Sequence, residues 1–428
     1  MDAVPGATPA VAGPSSGVAL TRTDRGLTVV TERMESVRSV ALGFWVGTGS
    51  VDETDELAGA SHFLEHLLFK GTPGRSARDI AEAVDAVGGD MNAFTTKEYT
   101  AFYIRVLSAD AALAVDILSD IIWDPAFRPE EVESERQVIL EEILMHADEP
   151  AETVHDLAAG AVFPSHPLGR EVLGTADTIA AMGREDIARF HRHHYQPLNL
   201  VVAAAGDVDH DRLVDALEQR AGDHAGGTPP RRHAPASPPA PVVVAGRDTE
   251  QAHLVVAMRA PHRNDEDRFA LTLIDHILGG GMSSRLFQSV REERGLAYSV
   301  YSYRSAFEQG GSLAVYAGTA PGRVREVLEV VDDELDRMAA KGPTDEELDA
   351  ARSHLRGATA LGLEDSGANM SRIGRAQLIH GEVLSVEAVE ARLAALTPSD
   401  VRQVAARVVG GSRTLAVVGP FSETDFAR

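Results

Sequence analysis

Hydrophobic positions recur along this chain every second residue in some segments and every three to four residues in others. The first pattern predicts strands and the second predicts amphipathic helices. The predicted strands span residues 18–21, 27–31, 37–47, 90–95, 100–106, 198–205, 253–259, 297–305, 312–317 and 414–418. The predicted helices span a segment around His62 that ends at Gly71, and residues 77–87, 110–122, 129–146, 151–163, 176–192, 209–221, 269–278, 323–340 and 344–361.

The order of these elements repeats along the chain. Strand 253–259 resembles residues 41–45, helix 269–278 resembles the helix around His62, and strand 414–418 resembles strand 198–205. The repeat predicts an internal duplication with a period of roughly two hundred residues. Residues 222–241 are rich in Gly, Pro and Ala, which is typical of a linker. We therefore expect a disordered start at 1–17, one domain at 18–221 and a related domain at 242–428.

Composition narrows the class of protein. At 428 residues with 44% hydrophobic content, the chain is long enough for more than one packed domain. It contains no cysteine, which excludes disulfides, thiolate metal sites and a cysteine nucleophile, and which fits a reducing compartment. The formal net charge of −25 argues against binding to nucleic acid, and it permits attraction of basic substrates.

Residues 1–17 lack the basic start and the apolar core of a signal peptide. No apolar run approaches 18 residues, so we expect no membrane span. These features predict a cytoplasmic protein.

Residues 61–69 combine an apolar helix with three chemically active side chains. His62 and His66 lie four residues apart and share one helix face, with Glu65 beside them. Two imidazoles one turn apart can bind one metal ion, and an adjacent carboxylate can act as a base. The pattern is the inverted zinc motif H-x-x-E-H. The alternative is a core helix with two hydrogen-bonded histidines and a solvent-facing glutamate.

The helix at 129–146 carries two candidate acidic groups. Glu135 and Glu142 are seven residues apart and project between Val138 and Ile139 on a helical wheel, inside the apolar arc, whereas Glu141 falls outside it. Buried carboxylates need a metal or a cation as partner. A salt bridge to an arginine, such as the neighbouring one at 136, is the alternative.

The second copy of the repeat lacks part of the motif. When residues 275 and 276 are aligned with Glu65 and His66, Thr272 takes the place of His62. We therefore expect one chemical site per chain and a non-catalytic role for the second half.

Several segments together resemble the pitrilysin (insulinase) family of zinc peptidases, and most closely the bacterial relatives of the mitochondrial processing peptidase beta subunit. The resemblance runs from about residue 18 to 420. Its motifs are WVGTGS at 45–50, HFLEH at 62–66, GGDMNAFT at 88–95, ERQVILEE at 135–142, HPLG at 166–169, YQPLN at 195–199 and REERGLAY at 291–298. The resemblance implies an α+β fold of two homologous, sandwich-like halves, each a mainly antiparallel sheet packed with helices.

The resemblance also implies roles for the candidate residues. His62, His66 and Glu142 are expected to ligate one Zn²⁺ per chain. Glu65 is expected to be the general base, and Glu135 the carboxylate that orients the site. The implied reaction is hydrolysis of a peptide bond by direct attack of water, with no acyl-enzyme.

Substrate contacts follow from the same resemblance. Asn92, Ala93, Phe94 and Thr95 resemble the edge strand that pairs with the backbone of an extended, unfolded peptide, although an ordinary sheet edge is the alternative. Arg291 and Tyr298 match an arginine and a tyrosine that reach the substrate near the scissile bond, where Tyr298 is expected to help stabilise the oxyanion. Residues 279–281 resemble a flexible glycine-rich loop.

Family members of this length need a second chain to complete their chamber. Because this chain carries both the zinc residues and the Arg291–Tyr298 pair, we expect a homodimer acting on extended, basic peptides. A heterodimer with a zinc-lacking homologue, as the catalytic subunit of a processing peptidase, is the first alternative. A non-catalytic scaffold subunit and a metal enzyme with a non-peptide substrate are further alternatives. No nucleic-acid or membrane partner is expected.

Overall fold

A computed structural model describes residues 17–426. Apart from Gly17, the predicted disordered start lies outside the described residues. The strands of the first half are β1 (Val18–Arg22), β2 (Thr28–Arg33), β3 (Ser39–Val46), β4 (Asp90–Thr95), β5 (Thr100–Leu107) and β6 (Leu200–Gly206). Its helices are α1 (Ala60–Leu68), α2 (Ala77–Asp85), α3 (Ala111–Trp123), α4 (Pro129–Ala147), α5 (Pro150–Val162), α6 (Ala176–Ala181), α7 (Arg184–His194) and α8 (His210–Ala221).

The second half is built in the same way. Its strands are β7 (Val242–Gly246), β8 (Ala252–Ala260), β9 (Ala297–Ala306), β10 (Gly311–Thr319) and β11 (Arg413–Gly419). Its α-helices are α9 (Arg268–Gly279), α10 (Val324–Lys341), α11 (Asp345–Gly362), α12 (Ser366–His380), α13 (Val386–Ala395) and α14 (Pro398–Val408), and a π-helical segment covers Phe287–Glu292. None of the helices within residues 17–426 is both long and apolar enough to cross a membrane.

Two sheets with matching strand orders form the frame of the molecule. The first sheet has the order β1-β2-β6-β3-β5-β4, and the second has the order β7-β11-β8-β10-β9. The first sheet contains one parallel pair, β2–β6, and the second contains one parallel pair, β7–β11. All the other strand pairs are antiparallel. Apart from β1, each strand of the first sheet has a counterpart in the second. The predicted α+β fold of two related halves is therefore confirmed.

Each sheet is covered on one face by helices of its own half and on the other by a helix of the opposite half. Helices α1, α3 and α8 pack on the first sheet, and α9, α10 and α14 pack on the second. Helix α12 of the second half covers the remaining face of the first sheet, where Met370 and Ile373 pack against Trp45. Helix α5 of the first half covers the remaining face of the second sheet through Val154 and Ala158. Each half therefore has a core of its own, and two further hydrophobic clusters contain residues of both halves.

The prediction of one helix over 176–192 is wrong. The chain turns at Met182 and Gly183, between α6 and α7, because the Asp186 carboxylate accepts the Gly183 N–H at 3.1 Å and caps a new helix there. Strand β7 and the helices α12, α13 and α14 were not predicted from the sequence.

Residues 222–241 form neither helix nor strand, but one side chain in this segment is firmly held. The Arg232 side chain is 7% exposed, and its guanidinium lies 2.7 Å from Asp52 Oδ2. It also donates to the Glu98 carbonyl at 2.8 Å, and the Glu98 carboxylate pairs with Arg263 of the second half. Burial raises the pKa of both Asp52 and Glu98, and their arginine partners oppose that shift. This network joins residues 222–241 to both halves. The domain boundaries at 18–221 and 242–428 stay a prediction.

A buried histidine makes stability depend on pH. His191 Nε2 lies 2.9 Å from the Ile122 carbonyl, and burial lowers the His191 pKa to about 4. Histidine in an unfolded chain titrates near 6.5, so below that pH the unfolded state binds more protons than the folded state. Folding stability should therefore fall as pH falls from about 6.5 to about 4. Between pH 7 and pH 5 this single group should cost about 2 kcal/mol.

This dependence can be measured by urea unfolding of the metal-free chain at pH 7 and pH 5. The variant His191→Gln should lose about 2 kcal/mol less than the wild type over that interval. His193→Gln is the matched control, because His193 lies on the same helix and is exposed. Equal losses in wild type and His191→Gln would contradict the assignment.

Candidate active site

A buried carboxylate caps the helix that carries the H-x-x-E-H motif. Glu53 accepts the N–H groups of Gly59 and Ser61 at 2.8 and 2.7 Å, at the start of α1. A carboxylate is favourable at a helix N-terminus because it complements the helix dipole. Burial nevertheless raises the Glu53 pKa to about 7. Glu53 thus fixes the position of α1 against the sheet.

Three candidate ligand atoms converge between α1 and α4. Glu142 Oε2 lies 3.6 Å from His62 Nε2 and 3.5 Å from His66 Nε2. The two imidazole rings are 4.7 Å apart, and one ligand atom from each of the three residues lies within 4.8 Å of the other two. Burial, followed by the neighbouring His66, lowers the pKa of His62 to about 4, so His62 is neutral near pH 7.

Glu135 links the site to a lysine. Its Oε2 atom lies 3.1 Å from His66 Nδ1, and its Oε1 atom lies 2.7 Å from the Lys70 ammonium. Glu135 is 4% exposed, so its charge needs these partners. Because an ionised carboxylate only accepts hydrogen bonds, His66 Nδ1 donates, which leaves the lone pair of Nε2 directed at the site.

Glu65 lies between the histidines and strand β4. Burial raises its pKa, while the hydroxyl and N–H of Thr95 and the nearby His66 favour its charged form. The Thr95 hydroxyl also lies 3.5 Å from the Ser61 carbonyl of α1. Thr95 therefore ties the edge strand to the helix that carries Glu65.

The donor set fits zinc. A tetrahedral zinc ion with bonds of about 2.0–2.2 Å has ligand atoms about 3.4 Å apart, close to the two distances from Glu142. Two imidazoles and one carboxylate form a ligand set typical of catalytic zinc. The Nδ1 atom of His62 has no hydrogen-bond partner among the described residues.

A second group of metal-binding residue types lies further along α4. His146 Nε2 is 2.7 Å from Asp156 Oδ2, and Glu171 lies close to both. The Lys97 ammonium interacts electrostatically with Asp156 and Glu171, so part of their charge is already balanced. We therefore assign no metal to this group.

Strand β4 forms one edge of the first sheet, since it pairs only with β5. Asn92, Ala93 and Phe94 all lie on it. The Ala93 N–H, on the open side of the strand, is bonded to the Asn92 side-chain oxygen at 2.8 Å. The Phe94 ring packs against Trp45 and Tyr99 beside the cluster that α12 covers, and it stays half-buried.

Arg291 and Tyr298 lie together at the edge of the second sheet. The Arg291 guanidinium stacks 4.6 Å above the Tyr298 ring and 4.7 Å from the Phe287 ring. Tyr298 is 80% exposed, at the start of the edge strand β9. Among the described residues, the one carboxylate within ion-pair distance of Arg291 is Glu292, its neighbour in sequence. Within residues 17–426, no ion pair or ring contact joins this pair to His62, His66 or Glu142.

Sequence reasoning missed some contributors to the site. The helical wheel placed Glu142 as deep as Glu135, but their side chains are 42% and 6% exposed, and Val138 is 47% exposed. Lys70 was not singled out, although it pairs with Glu135, and Thr95 was predicted only as part of the edge strand and not as a partner of Glu65. Lys70 is one of three lysines in the chain and lies four residues after His66, which was a usable signal.

Comparison with known proteins agrees with this geometry. Residues 28–176 match the family model of insulinase (peptidase family M16), and residues 181–355 match the model described as the peptidase M16 inactive domain. An uncharacterized zinc protease of Streptomyces coelicolor is 50% identical over 412 residues, which cover 94% of this chain and 90% of the relative. An uncharacterized zinc protease of Mycobacterium tuberculosis is 45% identical over 416 residues, which cover 96% and 95%.

Solved structures show the same fold at lower sequence identity. A peptidase M16 inactive domain from Pseudomonas fluorescens superposes with a TM-score of 0.88 at 23% identity, covering 95% of this chain and 98% of that one. A protease from Helicobacter pylori superposes with a TM-score of 0.86 at 21% identity, covering 94% and 99%.

The fold, the His-His-Glu cluster and the relatives together define a zinc protease. The chain belongs to peptidase family M16, the insulinase family.

Proposed function

We propose that this protein is a zinc endopeptidase that hydrolyses extended, unstructured peptides inside a chamber closed by two or more homologous domains. The observation that carries the proposal is the convergence of one ligand atom from each of His62, His66 and Glu142 within 4.8 Å, with Glu65 beside them. The net charge of −25 favours basic peptides as substrates. A cytoplasmic location stays a prediction from the sequence.

In this proposal His62, His66 and Glu142 hold the zinc ion. Zinc bound there supplies a Lewis acid that polarises the scissile carbonyl and lowers the pKa of a water molecule. Glu65 accepts the proton of the attacking water and returns it to the leaving amine. This role is supported by its position between the histidines and Thr95, and by electrostatic contacts that keep its charged form accessible.

Glu135 orients the site through His66. Its bond to His66 Nδ1 selects the tautomer whose Nε2 atom can bind a metal. Lys70 supports Glu135 by neutralising its buried charge.

The substrate binds as an added strand beside β4, with Asn92, Ala93 and Phe94 offering backbone groups. The Asn92 side chain, which occupies the Ala93 N–H in the absence of peptide, has to release it for pairing.

Arg291 and Tyr298 act on the substrate of a second copy of the chain. Their exposure at the edge of the second sheet, separate from the histidines, supports a homodimer in which each zinc site is completed by the partner. A heterodimer with a zinc-lacking homologue, in which this chain is the catalytic subunit, is the alternative. The complete set of His62, Glu65, His66 and Glu142 disfavours a non-catalytic scaffold.

The test is cleavage of a quenched, unstructured basic peptide by the purified, zinc-loaded chain, with and without a zinc chelator. Chelator-sensitive cleavage, with specific activity that rises with protein concentration through the dimerisation range, is the expected result. A zinc-loaded chain that cleaves no peptide at any concentration would contradict a self-sufficient homodimer.

Replacing Lys70 with methionine should weaken zinc binding roughly tenfold or more, the effect expected for loss of a residue that supports a ligand. The physical reason is that the buried Glu135 loses the ammonium 2.7 Å away, so the charged carboxylate that accepts from His66 is no longer compensated. Zinc affinity is measured by competition with a chromophoric chelator. Lys70→Arg keeps the charge and should stay near wild type, and Lys341→Met, at the end of α10, is the control for loss of a lysine. Unchanged zinc affinity in Lys70→Met would remove Lys70 from the site.

A further inference from the structure

A cavity of about 550 Å³ lies in the second half, between α9, α11, α12 and α13. This volume falls within the range of small-molecule sites. Its floor is apolar, formed by Phe269, Leu355, Val389 and Leu393 among others. Leu355 and Val389 remain half-buried, so part of this apolar surface is open to solvent. An apolar ligand surface placed there would be removed from water.

The walls of the cavity are strongly cationic for so acidic a protein. Arg268, Arg356 and Arg375 line it, and none of them forms an ion pair with a carboxylate in the part of the chain that the structure describes. Two further arginines in the lining are already paired, Arg352 with Asp349 and Arg372 with Glu32.

Two carboxylates, Glu382 and Glu390, also line the cavity. Neither comes within ion-pair distance of the three free arginines, as far as the described residues go. His380 also lines the cavity, and its pKa is lowered to about 4 by burial and then by the charges of Arg268 and two other arginines. Positive charge at the cavity is therefore not cancelled locally.

The cavity occupies the position in the second half that corresponds to the groove between α1 and α4, where the His-His-Glu cluster lies in the first half. Helices α9, α11 and α13 correspond to α1, α4 and α6, and Thr272 in the lining replaces His62. Helices α4 and α11 begin after the caps Arg128 and Thr344, which aligns Glu135 with Ala351 and Glu142 with Ala358.

The second half keeps a contact between the helices that form the groove, although it lacks the metal-ligand residues. Arg136 donates to the Ile179 carbonyl of α6, and its counterpart Arg352 donates to the Leu393 carbonyl of α13 at 3.2 Å. The groove thus carries the candidate metal ligands in the first half and arginines in the second half.

We infer that this cavity binds a carboxylate with an apolar body, of the class of a medium-chain fatty acid. Arg268, Arg356 and Arg375 supply planar guanidinium donors for the head group, and the floor takes the chain. A peptide fits less well, because most of the cavity wall is formed by helices whose backbone groups are already bonded. The amide groups of a bound peptide would therefore lose water without gaining partners.

The test uses the zinc-loaded full chain and isothermal titration calorimetry, with dodecanoate below its micelle-forming concentration as the probe. Saturable binding of one dodecanoate per chain is expected. Dodecanol, which keeps the chain without the charge, should bind at least about tenfold more weakly, and acetate, which keeps the charge without the chain, should not bind measurably.

The double variant Arg356→Gln/Arg375→Gln should raise the Kd for dodecanoate by about tenfold or more. Both side chains are exposed, so the fold should persist, and an unchanged melting curve confirms that it does. Arg402→Gln, at an exposed position on α14, is the matched control. Equal affinity for dodecanol and dodecanoate, no saturable binding of dodecanoate, or unchanged affinity in the folded double variant would each overturn the inference. None of these outcomes depends on protease activity.

Discussion

Replacing Glu65 with glutamine should leave zinc binding intact and lower kcat for peptide cleavage by roughly 10²–10⁴-fold, the contribution expected of a general base. The amide cannot accept a proton from water, but it keeps the size of the side chain and its contact with Thr95. The three ligand atoms come from other residues, so the zinc content should match that of the wild type.

Two measurements on the same preparation separate these effects, namely metal analysis and single-turnover cleavage of the quenched peptide. Glu141→Gln is the matched control, because Glu141 is an exposed glutamate on α4. Wild-type cleavage by Glu65→Gln would show that another group serves as the base.

Removing the carboxylate of Glu142 should abolish stable zinc binding. Glu142 Oε2 is the one carboxylate oxygen within 4.0 Å of both Nε2 atoms among the described residues. In Glu142→Ala two imidazoles remain, and zinc affinity should fall by more than about 100-fold, the upper end of the effect of losing a supporting residue. Activity should be lost with the metal.

The comparison that decides the third ligand is Glu142→Ala against Glu141→Ala. The second variant should bind zinc as the wild type does, since Glu141 is exposed and lies outside the cluster. His62→Ala should lose zinc as Glu142→Ala does. Full metal occupancy in Glu142→Ala would move the third ligand elsewhere, with Glu141 as the first residue to examine.

Local patterns predicted most of the elements that build the site. Helix α1 and strands β4 and β5 appear where the periodicity placed them. Helix α2 also starts at its predicted position, where the Ser76 hydroxyl accepts the Asp79 N–H at 3.2 Å.

Residues whose role depends on distant partners were beyond the reach of these patterns. Lys70 and Thr95 matter because α4 and β4 bring Glu135 and Glu65 to them, and periodicity does not encode that proximity. The unequal burial of Glu135 and Glu142 has the same origin. The second part of α4 extends beyond the core, and a wheel treats every turn of a helix alike.

Helix α12 escaped prediction because its buried face is not an apolar stripe. The residues it buries include Ser366, Asn369, Gly374 and Gln377. At Gly374 a Cβ atom would lie 2.3 Å from Trp45 Nε1, so only glycine lets the helix approach the first sheet so closely. That requirement comes from the opposite half of the molecule and leaves no periodic signal.

The exchange of α5 and α12 between the halves bears on the ancestry of the duplicated chain. In a single half, α5 or α12 would point away from its own sheet. One apolar sheet face, the face that carries Trp45 in the first sheet or Val255 in the second, would then be uncovered. A second copy, offering its own helix in return, would cover that face on both partners. Gene fusion would then have made a contact between two molecules into one within a single molecule, after which the zinc residues needed to be kept in only one of the two repeats.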